Sequence, residues 1–327
     1  MKKELIRKTG MGEKLTQKET YTLFTSIMTG EMTESEIAAV LIAMRMRGET
    51  PDEIAGAALA MNDVKVKFDT EGVKAYDTCG TGGSGKSTMN VSSAVAVLLA
   101  SLGMPVVKHG NRAMSGTMGS ADLYEMAGVP IESAKDDMEA YFKKNNFAFC
   151  FAPLYHPAMK YAGPVRRQIM VPTIFNFLGP LSNPADLAGQ IIGIPKRERL
   201  AGIAEALEKM GRTNVALYSS LDGFDEASSC SETEVYVIKE EGIRNFRIKP
   251  EQYFSVCDMP VVKTREEGLD MFVKAISPDG GKLNELIALN SGVALYVFDK
   301  ADSLKDGYMK SMDTIQSGRV FEKYRGL

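Results

Sequence analysis

Residues 77–122 read DTCGTGGSGKSTMNVSSAVAVLLASLGMPVVKHGNRAMSGTMGSAD, in which two loops rich in glycine and hydroxyl groups flank an apolar run. Glycines let backbone N–H groups approach an anion closely, and serine and threonine hydroxyls add uncharged donors. The second loop also carries Lys108, His109 and Asn111. Two such loops facing each other would hold a molecule with more than one phosphate group.

The apolar run between the loops, residues 91–107, contains serines and is interrupted by Gly103 and Pro105. This pattern favours a buried helix followed by a strand over a membrane span. Strands and helices continue to alternate down the chain, with strands expected at 73–80, 104–110, 147–153, 188–194, 214–220 and 234–240. Such alternation predicts an α/β fold with a mostly parallel central sheet that binds its ligands at the carboxyl ends of the strands.

The first 66 residues have a different pattern and are expected to be wholly helical. Thr33 and Glu36 have the spacing of a capping box, and Pro51 lies in the first turn of the next expected helix. Apolar residues occupy almost every side of residues 37–46, which predicts a helix buried by more than one neighbour.

These patterns predict a small all-helical N-terminal domain and a larger α/β domain. We place the helical domain at residues 1–68, joined by helices from about 166–187, and the α/β domain at residues 69–327. The extra apolar surface of the helical domain suits a homodimer interface, although packing within one chain explains that surface about as well.

The overall composition is that of a soluble globular protein with a net charge of −3 over 327 residues. This charge argues against a general nucleic-acid binder, which usually needs a basic face. The four cysteines include no C-x-x-C pair, so we expect neither a disulfide framework nor a thiolate zinc site. The basic start is followed by no apolar run, so we expect no secretory signal, no membrane partner and a cytoplasmic location.

The segment Gly80–Ser87 matches the P-loop pattern G-x-x-x-x-G-K-[ST]. A P-loop also needs an apolar strand before it and a later apolar strand ending in aspartate. VKAYDTC is a poor buried strand, and only NVALYSSLD approaches the second requirement. A chance match within a differently built phosphate loop is the favoured interpretation, and a nucleotide-binding protein of the P-loop class is the alternative.

Two further groups of polar residues follow expected strands. His109 and His156 lie in polar loops, where structural hydrogen bonding and a role in an aromatic substrate pocket are about equally well supported. Asp222, Asp225 and Glu226 follow the strand NVALYS, and adjacent carboxylates suit Mg²⁺. Alone they would be read as a solvated acidic turn, but beside two anion-binding loops a metal site becomes reasonable.

Arg166 and Arg167 follow Pro164 and Val165. An arginine can bind a carboxylate through two parallel hydrogen bonds. Because surface arginines are common, this pair by itself indicates little.

Taken together, these motifs resemble the anthranilate phosphoribosyltransferase family over nearly the whole chain. The resemblance rests on an ordered set of motifs: GTGG at 80–83, NVSS at 90–93, KHGNRA at 108–113, GSAD at 119–122, AP-x-x-HPAM at 152–159, PVRR at 164–167, TIFNFLGPLSNPA at 173–185 and GFDE at 223–226. It implies a helical domain joined by hinges to an α/β domain, usually in a homodimer. The implied reaction transfers phosphoribose from 5-phosphoribosyl 1-pyrophosphate to the amine of anthranilate; a related transferase or phosphorylase acting on another aromatic or base is the alternative.

The resemblance also implies roles for individual residues. The sugar pyrophosphate would be bound by glycines, by polar side chains and by the hydroxyls of the first loop. These residues are Gly80, Gly82, Gly83, Ser84, Ser87, Thr88, Asn90, Ser92, Ser93, Lys108 and Ser120. Lys108 would stabilise charge on the leaving pyrophosphate. Those that would bind anthranilate are Gly80, His109, Asn111, His156 and Arg166. Mg²⁺ would be held by Ser92, Asp225 and Glu226.

Several residues depart from the usual family pattern. Ser84 stands where aspartate is usual and Lys86 where a neutral residue is common, so the first loop is more positive. We expect tighter pyrophosphate binding and weaker magnesium dependence at this loop, which a Ser84→Asp variant would test. Met118, Met159, Tyr161 and Ser219 also differ, so the acceptor site matches the family pattern less closely than the donor site does.

Overall fold

The computed structural model describes residues 1–82, 85–113 and 116–327. The helices of these residues are α1 Lys2–Gly10, α2 Gln17–Met28, α3 Glu34–Arg47, α4 Pro51–Asp63, α5 Val91–Ser101, α6 Ser120–Met126, α7 Lys135–Asn145, α8 Ala152–Tyr155, α9 Met159–Ile169, α10 Phe175–Leu178, α11 Leu200–Lys209, α12 Arg265–Ile276, α13 Lys282–Val297, α14 Leu304–Gln316 and α15 Arg319–Arg325. The strands are β1 Ala75–Gly80, β2 Val106–Gly110, β3 Phe147–Phe151, β4 Leu187–Gly193, β5 Val215–Ser220, β6 Thr233–Lys239 and β7 Gly242–Ile248.

Within these residues the strands form a seven-stranded sheet in the order β3-β2-β1-β4-β5-β6-β7. Neighbours from β3 to β5 are parallel, whereas β6 pairs antiparallel with both β5 and β7. The predicted α/β class and mostly parallel sheet are therefore confirmed. The sequence pattern does not predict β7, because GIRNFRI is an edge strand whose polar side chains are largely exposed.

The N-terminal helices α1–α4 form a bundle against which α9 and α10 also pack. Thr16, Thr33 and Thr50 each form a capping box at the start of α2, α3 and α4, as the spacing of Thr33 and Glu36 predicts. The apolar core of the bundle continues into β4, β5 and α11. Because this core is shared, the proposed domain division at residue 68 stays a prediction.

Helix α5 lies on the other face of the sheet, where it contacts β1, α13 and α15. Its residues Val95–Leu99 are at most 2% exposed, which explains why the run is apolar on every side. This packing fixes the amino end of α5 beside the carboxyl end of β1. No helix in the described part of the chain is long and apolar enough to cross a membrane.

The chain passes three times between the bundle and the α/β layers. The first crossing is residues 64–74, between α4 and β1, and the second crossing is residues 170–186, between α9 and β4. The third passage is residues 152–158, between β3 and α9. The first and second crossings touch each other, since the Phe68 amide donates to the Pro184 carbonyl over 3.2 Å. The first crossing also contacts α8, the short helix that follows β3, since the Val66 amide donates to the Tyr155 carbonyl over 2.8 Å. These bonds tie the passages together, in addition to the apolar core that the bundle shares with β4, β5 and α11.

Candidate active site

The predicted site residues gather at the carboxyl ends of the parallel strands. β1 ends at Gly80, β2 at Gly110 and β5 at Ser220, and the loops that follow these strands carry most of the predicted residues. Gly83 and Ser84 lie outside the described residues, so the prediction for Ser84 stays a prediction. The neighbouring Gly82 has a φ of +63°, a left-handed conformation that favours glycine.

The first glycine-rich loop contacts the acidic loop at two points. The Thr88 hydroxyl donates to Oε1 of Glu226 over 2.6 Å. The Lys86 ammonium donates to the Asp222 carbonyl and lies 4.3 Å from the centre of the Phe224 ring. The two loops predicted to hold the pyrophosphate and the metal are therefore in direct contact.

Asp225, which is half-buried, and Glu226, which is buried, form an acidic pair beside Gly80 and Gly193. Burial raises the pKa of Asp225, and burial together with the Asp225 charge raises the pKa of Glu226. Oε2 of Glu226 is buried without a hydrogen-bond partner among the described residues. Two neighbouring carboxylates with an unused oxygen fit Mg²⁺, which takes oxygen ligands and keeps several waters. No group of three or more such side chains or thiols converges within the described ranges, so water and substrate would have to complete the coordination shell.

The amino end of α5 presents unsatisfied polar groups to the same region. Asn90 precedes the helix in a left-handed conformation, with φ of 58° and ψ of 54°. Its Nδ2 and the Ser93 hydroxyl are buried without partners in the part of the chain that the structure describes. A buried polar group without a partner costs about 1–3 kcal/mol, so this cluster indicates a ligand. A helix amino end also favours a negative charge.

Lys108 reaches this cluster from the middle of β2. Lys108 is 1% exposed, and its ammonium donates to the Thr78 carbonyl and lies 3.2 Å from the Ser92 hydroxyl. Burial lowers the pKa of Lys108, and the nearby Asp77 carboxylate opposes that effect. Lys108 and Ser92 are thus adjacent, and the hydroxyl assigned to the metal also accepts from the lysine.

Asp77 is a buried residue that sequence reasoning did not single out. Its Oδ1 accepts from the His109 amide over 3.3 Å, and its Oδ2 accepts from Nε2 of Gln190 over 2.9 Å. Arg212 in turn donates to Oε1 of Gln190 over 3.2 Å. Burial raises the pKa of Asp77. A carboxylate within a buried strand was the available signal, because such a charge needs partners.

Ser87 has a structural role that its sequence position did not reveal. Its hydroxyl accepts from the Thr117 amide over 3.0 Å, and its carbonyl accepts from the Val262 amide over 2.8 Å. Ser87 therefore links the two glycine-rich loops to each other and to the segment before α12. Ser120 is the first residue of α6, and its hydroxyl lies beside Gly110 at the end of β2.

The acceptor-side residues surround α10. The His109 and His156 rings are 4.9 Å apart and tilted by 56°. Nδ1 of His109 lies 3.2 Å from the Gly179 carbonyl, just past α10. The Arg166 guanidinium lies 5.3 Å from the Phe175 ring, at the start of α10, and makes no hydrogen bond or ion pair with the described side chains.

Burial affects the protonation of His109, His156 and Arg166. It lowers the pKa of His156 to about 4 and that of His109 well below its ordinary value, so both imidazoles are neutral at pH 7. Burial also lowers the pKa of Arg166, which nevertheless stays charged. The site therefore offers a cation with no ion-pair partner among the described residues, beside two neutral aromatic rings, which suits an aromatic carboxylate.

The other residues predicted for the acceptor side lie elsewhere or are already bonded. Oδ1 of Asn111 accepts from the Arg112 amide over 2.8 Å. Tyr161 packs against Gly30 of the bundle, and Met118 packs against Gly268 of α12. The hydroxyl of Ser219 is buried without a partner among the described residues.

Comparison with known proteins agrees with this geometry. Residues 3–64 match the helical bundle domain of the glycosyl transferase family, and residues 72–321 match its α/β domain. An anthranilate phosphoribosyltransferase from Geobacillus sp. (strain WCH70) is 40% identical over 100% of this chain and 97% of its own length. The chain belongs to the anthranilate phosphoribosyltransferase family.

Solved anthranilate phosphoribosyltransferases have the same fold. The crystal structure of the enzyme from Thermus thermophilus has a TM-score of 0.90 and 33% identity, and the match covers 100% of this chain and 98% of that one. The Saccharomyces cerevisiae enzyme in complex with PRPP and Mg has a TM-score of 0.87 but 21% identity, over 99% of this chain and 96% of that one, and so shows the fold alone. The predicted family, transferase class and fold are thus confirmed.

Proposed function

We propose that this member of the anthranilate phosphoribosyltransferases transfers the 5-phosphoribosyl group from 5-phosphoribosyl 1-pyrophosphate to the amine of anthranilate, a step in tryptophan biosynthesis. Pyrophosphate is the leaving group. The observation that carries the proposal is the pairing of two different subsites at one sheet edge. One subsite consists of buried donors around Lys108 and α5, and the other consists of neutral rings around α10 and Arg166, which has no ion-pair partner within the described part of the chain.

The donor subsite would stabilise the charge that develops on the departing pyrophosphate. Lys108, Asn90 and Ser93 have donors in place before the substrate arrives, so little reorganisation is needed in the transition state. Asp225 and Glu226 would hold Mg²⁺, which would neutralise charge on the pyrophosphate oxygens. Ser92 would be the third ligand of Mg²⁺, although its hydroxyl also accepts a hydrogen bond from the Lys108 ammonium.

The acceptor subsite would position anthranilate rather than activate it strongly. Arg166 can bind the carboxylate through two parallel hydrogen bonds, and the neutral His109 and His156 rings can face the aromatic ring. An aryl amine is unprotonated at neutral pH, so no strong general base is required. The ortho carboxylate of anthranilate can accept the proton that the amine loses.

The geometry suits a displacement in which the sugar carbon is held between the two subsites. Proximity and orientation contribute much of the barrier reduction in such a reaction. Closure of the bundle over the sheet would exclude water that could hydrolyse the sugar donor. We expect inversion at the anomeric carbon.

We further propose that the chain forms a homodimer through its helical domain and acts in the cytoplasm. The bundle exposes Met11 and Met46, whose side chains are 71% and 83% exposed. Cys79, Cys150, Cys230 and Cys257 are all free thiols, which suits a reducing compartment. Light scattering of the parent and of Met46→Glu tests the dimer, and a monomeric parent would contradict it.

The decisive experiment follows the loss of anthranilate fluorescence with 5-phosphoribosyl 1-pyrophosphate and Mg²⁺. We expect turnover that needs all three components and that stops when EDTA removes the metal. Folded enzyme without turnover would refute the proposal. Turnover of a nucleobase would favour the related phosphorylases, and binding of ATP without release of pyrophosphate from the sugar donor would favour a P-loop protein.

A further inference from the structure

Lys65 lies two residues past the end of α4, in the first crossing between the bundle and the sheet. Its ammonium donates to Oδ1 of Asn62 over 2.7 Å and to the Asn183 carbonyl over 2.6 Å. Asn62 donates in parallel to the Leu181 carbonyl over 2.9 Å. Two side chains from the end of α4 thus hold residues 181–183 of the second crossing.

The segment held in this way contacts the histidine pair. Gly179 lies two residues before this segment, and its carbonyl accepts from the Ser182 hydroxyl over 3.1 Å. The same carbonyl lies against Nδ1 of His109. Asn183, at the end of the segment, donates to the Val107 carbonyl over 2.8 Å, two residues before His109 in β2. On the other side, the residue after Lys65 is bonded to Tyr155, which directly precedes His156.

We propose that Lys65 is a positioning residue for the acceptor subsite, whose ammonium fixes residues 179–183 and thereby sets the places of His109 and His156. This inference rests on the proposed function, because it concerns the subsite assigned to anthranilate. Lys65 forms its hydrogen bonds with Asn62 and Asn183, which are not among the residues assigned to either substrate. It acts through the second crossing, so a movement of α4 would shift both histidines.

Electrostatics provides a second route from Lys65 to the histidines. Burial lowers the pKa of Lys65 to about 8, so it keeps its charge at neutral pH. That charge helps to lower the pKa of His109 and of His156. The other charged groups that influence the pKa of Lys65 are Arg212, Asp186, Lys67 and Asp63. His156 and Lys108 also influence the pKa of His109, whereas Lys67 influences neither histidine.

The chain is well suited to a direct test because it contains two histidines in all. In protein without an affinity tag, the imidazole signals in an NMR titration therefore report on this subsite alone. The test variant is Lys65→Met, which keeps an unbranched side chain but removes the charge and the donors. Lys67→Met is the matched control, because Lys67 lies in the same crossing and is exposed.

We expect Lys65→Met to raise the pKa of at least one histidine by roughly 0.5 unit or more, since a neighbouring positive charge is lost. We also expect the KM for anthranilate to rise about 5- to 20-fold with kcat changed less than about 2-fold, the signature of lost positioning in the ground state. The KM for the sugar pyrophosphate should stay at the parent value. Lys67→Met should leave all of these quantities unchanged.

A folded Lys65→Met whose histidine titrations and KM match those of Lys67→Met would overturn the inference. If circular dichroism shows that Lys65→Met is unfolded, Lys65→Gln replaces it, because the amide removes the charge but keeps a donor, on a side chain one bond shorter. Unshifted histidines in Lys65→Gln would also overturn the inference. The titrations need no turnover, so a parent without activity would refute the proposed function while leaving the effect of Lys65 measurable.

Discussion

Gly193, the last residue of β4, allows the Asp225 backbone to pass directly over the sheet edge. A Cβ at this position would lie 2.8 Å from the Asp225 carbonyl carbon and 3.1 Å from its Cβ. The Asp225 carbonyl oxygen would lie nearer still, and ordinary contact begins at 3.4 Å. In Gly193→Ala the acidic loop must therefore retreat by clearly more than the roughly 0.6 Å that the carbonyl carbon alone requires. A change of rotamer cannot relieve a clash with backbone atoms.

This displacement moves Asp225 and Glu226, the pair proposed to hold Mg²⁺. Changes in the groups that orient metal ligands typically cost about 10- to 100-fold in metal affinity. We therefore expect Gly193→Ala to raise the Mg²⁺ concentration for half-maximal activity about 10- to 100-fold. Gly80→Ala should cost less, because its Cβ would lie 2.5 Å from Oδ2 of Asp225, a carboxylate oxygen that can rotate away.

Mn²⁺ binding followed by electron paramagnetic resonance measures this effect without relying on turnover, and thermal unfolding checks the fold. Gly202→Ala is the control, because its Cβ would have nothing nearer than Pro51 at 4.0 Å. Parent-like metal affinity in folded Gly193→Ala would refute the reasoning. An equal loss of metal affinity in Gly80→Ala would also refute the reasoning, because a clash with backbone atoms would then cost no more than a clash with a side chain.

Three further outcomes are expected. Lys108→Met should lower kcat/KM for the sugar pyrophosphate about 10²- to 10³-fold, since a charge-stabilising donor is lost, and steady-state kinetics on folded protein checks this. Arg166→Ala should raise the KM for anthranilate about tenfold, and an unchanged KM would remove Arg166 from the acceptor subsite. Because burial lowers the pKa of His156 from 6.5 to about 4, the unfolded chain binds its proton first as pH falls. Stability should therefore decrease between pH 6.5 and 4, and the profile of melting temperature against pH should be flatter in His156→Gln than in the parent. Parallel profiles would contradict this assignment.

Local chemistry made much of the fold predictable from sequence. Thr33 and Glu36 define a helix start through hydrogen bonds three residues apart, so neighbouring residues suffice to recognise it. The end of β1 is likewise visible, because glycines and hydroxyls replace apolar residues there. In both places the structural cause lies within a few residues of its effect.

The missed features depend on residues that are distant in sequence. Gln190 lies 113 residues from Asp77, and nothing near either residue indicates their hydrogen bond. Ser87 was read as a phosphate donor from its loop, whereas its bonds to Thr117 and Val262 tie that loop to other segments. Side-chain roles fixed by tertiary contacts of this kind cannot be read from local pattern.

The pairing of β1 with β4 in the centre of the sheet has a consequence for folding. Tyr76 and Gly189 are partners across this pair, although more than a hundred residues separate them. Non-local pairing of this kind is slow to form, whereas the helices α1–α4 are close in sequence. We expect the bundle to collapse first and the donor site to assemble late, since it needs both β1 and the loop that carries Glu226. A chain released from denaturant should regain helical signal well before it regains affinity for pyrophosphate.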